Sequence, residues 1–168
     1  MHMDREELIN IIENAFDGVT QPNEITLHVA EAYDNYDYDN NLKHRKKDYV
    51  GRWQDVPQEH IQKCRNALSF VEKVGMRFYL PAYMTWYLKN FGNDNIIYDD
   101  HTLYSLDNNV KDSELAEYHK ERFSLFTPEQ LQACAFFVRF CANDTTEFSD
   151  TYFAQKKYER YWSSYENI

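Results

Sequence analysis

The segment that most restricts the fold of this chain runs from Gly75 to Met84, where Arg77 is the one charged residue. Aromatic and aliphatic side chains fill the other positions, so the segment must lie at the centre of a fold or line a pocket. We predict that Gly75 ends one helix and that Pro81 starts another, which runs to Phe91 with apolar residues on nearly all sides. The residues predicted to be inaccessible are Phe78, Leu80, Met84, Leu88, Leu131, Ala135, Phe137 and Val138.

Residues that form turns are scarce in this chain. Its 168 residues include four Gly and four Pro, against 14 Tyr, 11 Phe and 3 Trp. Few turn residues favour long helices over a sheet of many strands, and the length suits one domain. We therefore predict a mainly α fold, a single-domain bundle of five or six helices over residues 1–168. One small β-hairpin is expected near residues 96–106, around Asp99-Asp100.

Apolar periodicity and capping residues predict where the helices begin and end. Leu8 to Phe16 repeats apolar residues at helical spacing, and Gly18 ends the pattern. Thr127 to Gln130 combines a Thr cap, Pro at the first helical position and Gln three residues after the cap. Further helix starts are predicted near Asn23, at Asp55-Val56-Pro57 and at Ser149.

The net charge of −10 is unevenly distributed along the chain. Residues 1–42 hold ten acidic side chains and one basic one, whereas residues 43–92 hold ten basic and four acidic ones. This pattern indicates that the basic middle packs against acidic flanks. The remaining negative field disfavours binding to nucleic acid or to an anionic membrane, and it favours a cationic partner.

The sequence contains no recognisable catalytic or metal-binding motif. Cys64, Cys134 and Cys141 form no C-x-x-C pair and lie in apolar patterns, so we expect reduced core thiols in a cytoplasmic protein. The N-terminus lacks the layout of a signal peptide, and no apolar run approaches the length of a membrane span. The histidines match no zinc spacing, and we predict no metal, no cofactor and no catalytic residue.

Arg77 and Arg139 each interrupt an apolar segment. Because a buried guanidinium is costly to leave unpaired, each must contact an anion, a carbonyl or an aromatic ring. One interpretation is a pocket that binds a carboxylate or phosphate between aromatic walls. The other interpretation, which we favour, is a structural salt bridge. For Arg77, the expected partner is Asp55. The residues of the predicted pocket are Trp53, Asp55, Arg77, Tyr79 and Tyr83.

An acidic segment rich in tyrosine precedes a basic run. Its carboxylates would steer a basic partner towards it, and its tyrosines would supply buried contact area. The alternative is that the acids neutralise Lys43–Lys47 within the same chain. The residues of the predicted partner surface are Asp34, Tyr36, Asp37, Tyr38 and Asp39.

Four sequence motifs carry a resemblance to a known family. They are Trp53-x-Asp55-Val56-Pro57, Leu68-Ser69-Phe70, Arg77-Phe78-Tyr79-Leu80-Pro81-Ala82-Tyr83-Met84 and Thr127-Pro128-Glu129-Gln130. The chain resembles a family of small bacterial single-domain proteins of unknown function that share this core. The resemblance covers roughly residues 5–142 and leaves the C-terminal helix outside it. It implies a bacterial origin, and it brings no activity, cofactor or site residue.

Two hypotheses about function remain. In the first, this is a small acidic cytoplasmic protein that binds another protein, as an immunity protein or inhibitor neutralises a basic toxin or enzyme. Its size, acidity, tyrosine content and lack of catalytic motifs favour this hypothesis. In the second, the chain is an enzyme or a small-ligand binder that uses the pocket around Arg77.

Overall fold

The computed structural model describes residues 3–96, 99–108, 111 and 113–167. These residues form nine α-helices and three short 3₁₀ helices, and they contain no β-strand. The α-helices are α1 (Arg5–Ala15), α2 (Leu27–Asp34), α3 (Asn41–Arg45), α4 (Gln58–Lys63), α5 (Lys73–Lys89), α6 (His101–Tyr104), α7 (Ser113–Arg122), α8 (Pro128–Ala142) and α9 (Thr151–Arg160). The 3₁₀ helices are Trp53–Asp55, Ala67–Ser69 and Trp162–Tyr165.

The mainly helical fold is confirmed, but the predicted number of five or six helices is wrong for the described part of the chain. The difference comes from the short helices α3, α4 and α6, which have five, six and four residues. A helix of one turn is too short to show the apolar repeat on which the prediction depends.

The β-hairpin predicted near residues 96–106 is wrong where the structure describes that range. Residues 101–104 form α6 instead, while Ile97 and Tyr98 lie outside the described residues. Asp99 Oδ1 accepts a hydrogen bond from the backbone N–H of His101 at 3.2 Å. Because Asp side chains bonded to nearby backbone favour helix starts as well as turns, the Asp99-Asp100 pair leads into a helix here.

Gly75 lies inside α5, so the helix end predicted at this residue is wrong. A Cβ atom at position 75 would lie 2.9 Å from Cβ of Val71, closer than side chains pack. Glycine is therefore required for close packing of α5 against the preceding chain.

Pro81 also lies inside α5 and starts no new helix. Proline removes one backbone N–H from the helix, and Thr85 Oγ1 donates to the Pro81 carbonyl one turn later at 2.8 Å. Twelve of the 17 residues of α5 are buried. Tertiary packing around the helix therefore outweighs the local preference of glycine and proline to end it.

Helix α5 forms the centre of the core. It packs against α1, and α8 packs against α1 and α9. Of the eight residues predicted to be inaccessible, seven are buried and Leu131 is partly buried. Over the described ranges, no helix combines the length and apolarity that crossing a membrane requires.

Two predicted helix starts are confirmed. Helix α4 begins directly after Pro57. At the start of α8, Thr127 Oγ1 accepts from the Gln130 N–H at 3.2 Å, and Gln130 Oε1 accepts from the Thr127 N–H at 3.0 Å. Each residue thus satisfies a backbone donor of the other, as the capping-box pattern predicts.

Two other predicted starts differ from the structure. Helix α2 begins at Leu27 and not near Asn23. Helix α9 is capped by Asp150, whose side chain accepts from the N–H of the third helical residue at 3.1 Å. Ser149 is the buried neighbour of this cap, and its Oγ lies 2.5 Å from Oη of Tyr87. A contact with the core therefore occupies the hydroxyl that was predicted to cap the helix.

Candidate functional site

The aromatic residues of the predicted ligand pocket belong to the core. Trp53, Tyr79 and Tyr83 are each 2 % exposed. The Trp53 indole N–H and the Tyr83 hydroxyl donate to backbone carbonyls, and the Tyr79 hydroxyl accepts from a backbone N–H. Because these polar atoms are paired internally, the three side chains present no free group to a ligand. Trp53 donates to the carbonyl of Phe16 at 2.8 Å, and Tyr83 donates to the carbonyl of Cys64. Tyr79 accepts from the N–H of Leu27 at 3.2 Å.

The predicted salt bridge between Arg77 and Asp55 is wrong. Arg77 Nη1 donates to the carbonyl of Leu125 at 3.0 Å. Asp55 instead accepts from Arg52 Nε at 3.1 Å on the surface, where the two residues lie three positions apart. Asp55 thus pairs with a residue close in sequence, and the packing of α5 places Arg77 against Leu125. The five residues of the predicted pocket thus have separate partners.

Arg139 has the structural role that we favoured for both arginines. Its Nη1 lies 2.9 Å from each carboxylate oxygen of Glu166. Its guanidinium also lies 5.1 Å from the ring centroid of Phe136. This pair connects α8 to the C-terminal end of the described chain, and it confirms the salt-bridge interpretation for Arg139.

A buried polar cluster lies where α2, α4 and the chain after α3 meet. His28 Nδ1 is 2.6 Å from Oδ1 of Asp48, whose side chain is 3 % exposed. The same oxygen accepts the backbone N–H of His28 at 3.0 Å. The ring of His60 packs edge-on against that of His28, with centroids 4.8 Å apart. Burial, followed by the neighbouring His28, lowers the pKa of His60.

Cys64 lies near this cluster, but its environment does not favour a nucleophile. Burial raises the pKa of its thiol to about 12, and the carboxylates of Glu31 and Asp48 act in the same direction. The thiolate is the reactive form of cysteine, so the Cys64 thiol stays protonated at neutral pH. Across the described ranges, no three His, Cys, Asp or Glu side chains are placed to bind a metal ion.

Sequence reasoning did not find the contact between His28 and Asp48, which lie 20 residues apart in the chain. No short motif joins them. One signal was available, because His28 stands among the apolar residues of α2 and is buried with them. A histidine within an apolar helix face needs a polar partner from elsewhere in the fold.

Large apolar side chains are exposed along residues 36–50, which we call the loop surface. The exposed fractions are 83 % for Tyr36, 57 % for Tyr38, 63 % for Leu42 and 83 % for Val50. These are four of the eight large apolar side chains that are exposed in the described part of the chain. Single exposed apolar residues are common, whereas a group of them marks a candidate interaction site, and this segment holds the largest such group along the described chain.

Hydrogen bonds hold the loop surface in place. Asp37 accepts from Asn40 Nδ2 at 2.9 Å and lies 2.7 Å from His44 Nε2. Asn41 Nδ2 donates to the hydroxyl of Tyr33 at 2.7 Å. The hydrogen bond from His44 lowers the pKa of Asp37. The exposed tyrosines therefore stand on a segment that its own side chains fix.

The three acids of the predicted partner surface differ in their contacts. Asp34 accepts from Asn66 Nδ2 at 3.0 Å, and Asp37 contacts His44, whereas Asp39 is exposed. The contact with His44 fits the alternative interpretation, in which the acids interact with the neighbouring basic run of the same chain. Asp39 is the acid of this group best placed to meet a partner.

Residues 4–166 match the sequence model of DUF6714, a family of unknown function. The match covers nearly the whole chain, so the protein belongs to this family. It extends through α9, and the expectation that the C-terminal helix lies outside the family is therefore wrong. Comparisons with curated proteins and with solved structures gave no match.

Proposed function

We propose that this protein acts by binding another protein through its loop surface, as immunity proteins and inhibitors do. The observation that carries the proposal is the exposure of Tyr36, Tyr38, Leu42 and Val50 on one segment. Water-exposed apolar area of this kind lowers the free energy of a complex when a partner covers it.

The two tyrosines supply the anchors of this interface. Tyrosine combines a large contact area with few rotatable bonds and a polar tip, and it is enriched where interfaces concentrate their binding energy. The ring of Tyr38 packs against that of Tyr33, with centroids 5.4 Å apart. Because this contact orders the segment before binding, less conformational entropy is lost in the complex.

Backbone strain at Tyr36 also supports a role in binding. Its φ is 61°, in the left-handed region that bulky residues rarely adopt. Such strain costs about 1–3 kcal/mol and is commonly found where function requires a particular side chain. Glu147 has the same φ of 61°, and it lies outside the loop surface.

The charge of the chain favours a basic partner. The net charge of −10 attracts cationic surfaces over long range and accelerates their association. At the loop surface itself, Asp34 and Asp37 have internal partners. Asp39 and the overall negative field would therefore do most of the steering.

Two matched substitutions test the proposal. Tyr36→Asn removes the tyrosine and relieves strain, because Asn tolerates a positive φ. Glu147→Asn relieves the same strain away from the loop surface. Each variant should be about 1 kcal/mol more stable than the wild type in urea unfolding, because most of the strain is relieved. Only Tyr36→Asn should bind the partner more weakly.

The partner is to be identified by capture from native-host lysate with the wild-type protein. Its binding is then measured with the wild type and with Tyr36→Asn, Glu147→Asn and Asp39→Asn. We expect Tyr36→Asn to weaken binding at least tenfold and Glu147→Asn to leave it unchanged. Asp39→Asn should slow association at low salt and lose that effect at high salt. Equal binding by Tyr36→Asn and Glu147→Asn would refute the loop surface as the interface. The absence of any partner whose binding depends on salt would refute it as well.

A further inference from the structure

A cavity of about 510 Å³ lies where α7 meets the start of α5 and the chain before it. Its size falls within the range of small-molecule sites, roughly 300–1,000 Å³. Much of its wall is apolar, with Glu72, Lys73 and Glu121 as further lining residues. The apolar and aromatic residues of the wall are Ile25, Phe70, Val71 and Tyr118, and the remaining polar ones are Ser69 and Arg122.

Arg122 in this wall is a buried cation. It is 4 % exposed, although it ends a polar helix. Its Nη2 donates to the carbonyl of Leu68 and lies 3.1 Å from Sδ of Met76. Its Nε is buried and has no hydrogen-bond partner in the described part of the chain. The guanidinium also lies 5.4 Å from the ring centroid of Tyr118.

None of the carboxylates that the structure describes forms a salt bridge with Arg122. Arg139 shows the usual arrangement, since Glu166 neutralises it. Glu121 stands next to Arg122 in sequence, but it pairs with Lys73 at 3.1 Å. Burial lowers the pKa of Arg122, as expected where no anion offsets the loss of hydration. A buried charge without an opposite charge is rare in proteins.

We propose that this cavity binds a small organic carboxylate with an apolar body, whose carboxylate pairs with Arg122. The Nε–H of the guanidinium has no acceptor in the described chain, and Arg is the residue best suited to carboxylate recognition. The apolar wall formed by Phe70, Val71 and Ile25 would cover the rest of the ligand. The lining shares no residue with the loop surface, and the proposal does not depend on the function proposed there.

The charges around the cavity favour a single negative charge on the ligand. Lys73 and Glu121 neutralise each other, and Glu72 adds a further carboxylate to the lining. Arg122 is therefore the one cation of the lining without a carboxylate partner in the described chain. A monoanion would balance it, whereas a phosphate dianion would meet repulsion from Glu72.

Octanoate tests the proposal, with octanamide as a neutral probe of nearly the same shape. The full-length wild-type protein is titrated with each, and binding is followed by calorimetry and by NMR shifts, including that of the Arg122 Nε–H group. We expect saturable binding of octanoate at least tenfold tighter than that of octanamide. The shifts should concentrate at Arg122, Phe70 and Val71. Inorganic phosphate should not compete.

Two arginine substitutions distinguish binding at Arg122 from binding in the pocket predicted around Arg77. Arg122→Met keeps most of the side-chain volume and should abolish the preference for octanoate over octanamide. Arg77→Met removes a guanidinium that donates to the carbonyl of Leu125 and should leave that preference unchanged. Circular dichroism verifies that both variants are folded. If Arg122→Met does not fold, the comparison of octanoate and octanamide binding to the wild type still tests the proposal.

Four results would overturn the proposal. The first is no saturable binding of octanoate, and the second is equal affinity for octanoate and octanamide. The third is binding whose shifts lie away from Arg122. The fourth is octanoate binding that persists unchanged in folded Arg122→Met.

Discussion

Tyrosines in α5 and tyrosines in the loop surface have opposite environments. Tyr79 and Tyr83 are 2 % exposed, and their hydroxyls pair with backbone groups of other segments. Tyr36 and Tyr38 are 83 % and 57 % exposed. In α5 the rings fill the core and the hydroxyls connect it to neighbouring segments. On the loop surface, the rings are left to contact something outside the chain.

The difference shows that tyrosine content alone does not identify a binding surface. Position in the helix repeat is more informative, because Tyr79, Tyr83 and Tyr87 recur every four residues and so lie along one face of α5. Tyr36 and Tyr38 follow the end of α2, where no helical repeat continues. Surrounding residues therefore decide whether a tyrosine is structural or free to bind.

The largest effect should come from the core side of this comparison. Phe137→Ala removes a fully buried ring whose centroid lies 5.3 Å from that of Tyr87. We expect a loss of about 3–5 kcal/mol in the free energy of unfolding, measured in urea. Tyr152→Ala, at a side chain that is 78 % exposed, should change it by less than about 0.5 kcal/mol. Similar losses at both sites would remove the distinction between core and surface rings.

A smaller effect should distinguish the hydroxyl groups. Tyr83→Phe removes the side-chain donor to the buried carbonyl of Cys64, which keeps its hydrogen bond from the N–H of Ala67 at 3.2 Å. The loss of this one hydrogen bond should cost about 0.5–1.5 kcal/mol. Tyr38→Phe removes an exposed hydroxyl and should be neutral within about 0.5 kcal/mol. Urea unfolding of both variants measures the difference. A neutral Tyr83→Phe would mean that the α5 hydroxyls contribute no more than exposed ones.

The smallest effect concerns pH and two partly buried histidines. Burial is the main cause that lowers the pKa of both His60 and His119 below the ordinary value of 6.5. Between the folded pKa and 6.5 the unfolded chain binds more protons, so stability should fall as the pH drops through this range. Urea unfolding from pH 7.5 to 5 measures the slope.

Substitutions assign the pH effect to these two residues. His60→Gln and His119→Gln should each flatten the slope in part, and the double variant should flatten it most. A slope that both substitutions leave unchanged would show that other groups cause the dependence.

Local sequence predicted those parts of the fold that local interactions decide. The capping box at Thr127 and Gln130 was predicted correctly, because its hydrogen bonds join residues three positions apart. The helix break at Gly75 and Pro81 was wrong, because distant packing overrides both residues. Val71 leaves no room for a side chain at position 75. The elements packed around α5 bury this helix on most sides.

The candidate sites were predicted less well, for the same physical reason. Arg77 drew attention because its sequence neighbours are apolar, yet it is only partly buried and its Nη1 donates to a backbone carbonyl. Arg122 escaped notice because it ends the polar sequence of α7. Its burial comes from contacts with Leu68 and Met76, about fifty positions away. Tyr36 and Tyr38 are exposed, as a partner surface requires, and their role in binding stays a prediction.

The three buried cysteines give the chain built-in reporters of its own opening. Cys64, Cys134 and Cys141 are free and fully buried, and burial raises the pKa of Cys64 and of Cys141 to about 12. An alkylating reagent can react only when a segment opens transiently and releases the thiol. The labelling rate at Cys64 then reports local fluctuation around α4, and the rates at Cys134 and Cys141 report that of α8. Octanoate or a protein partner that slows the labelling of one cysteine would thereby be shown to rigidify the segment around that cysteine.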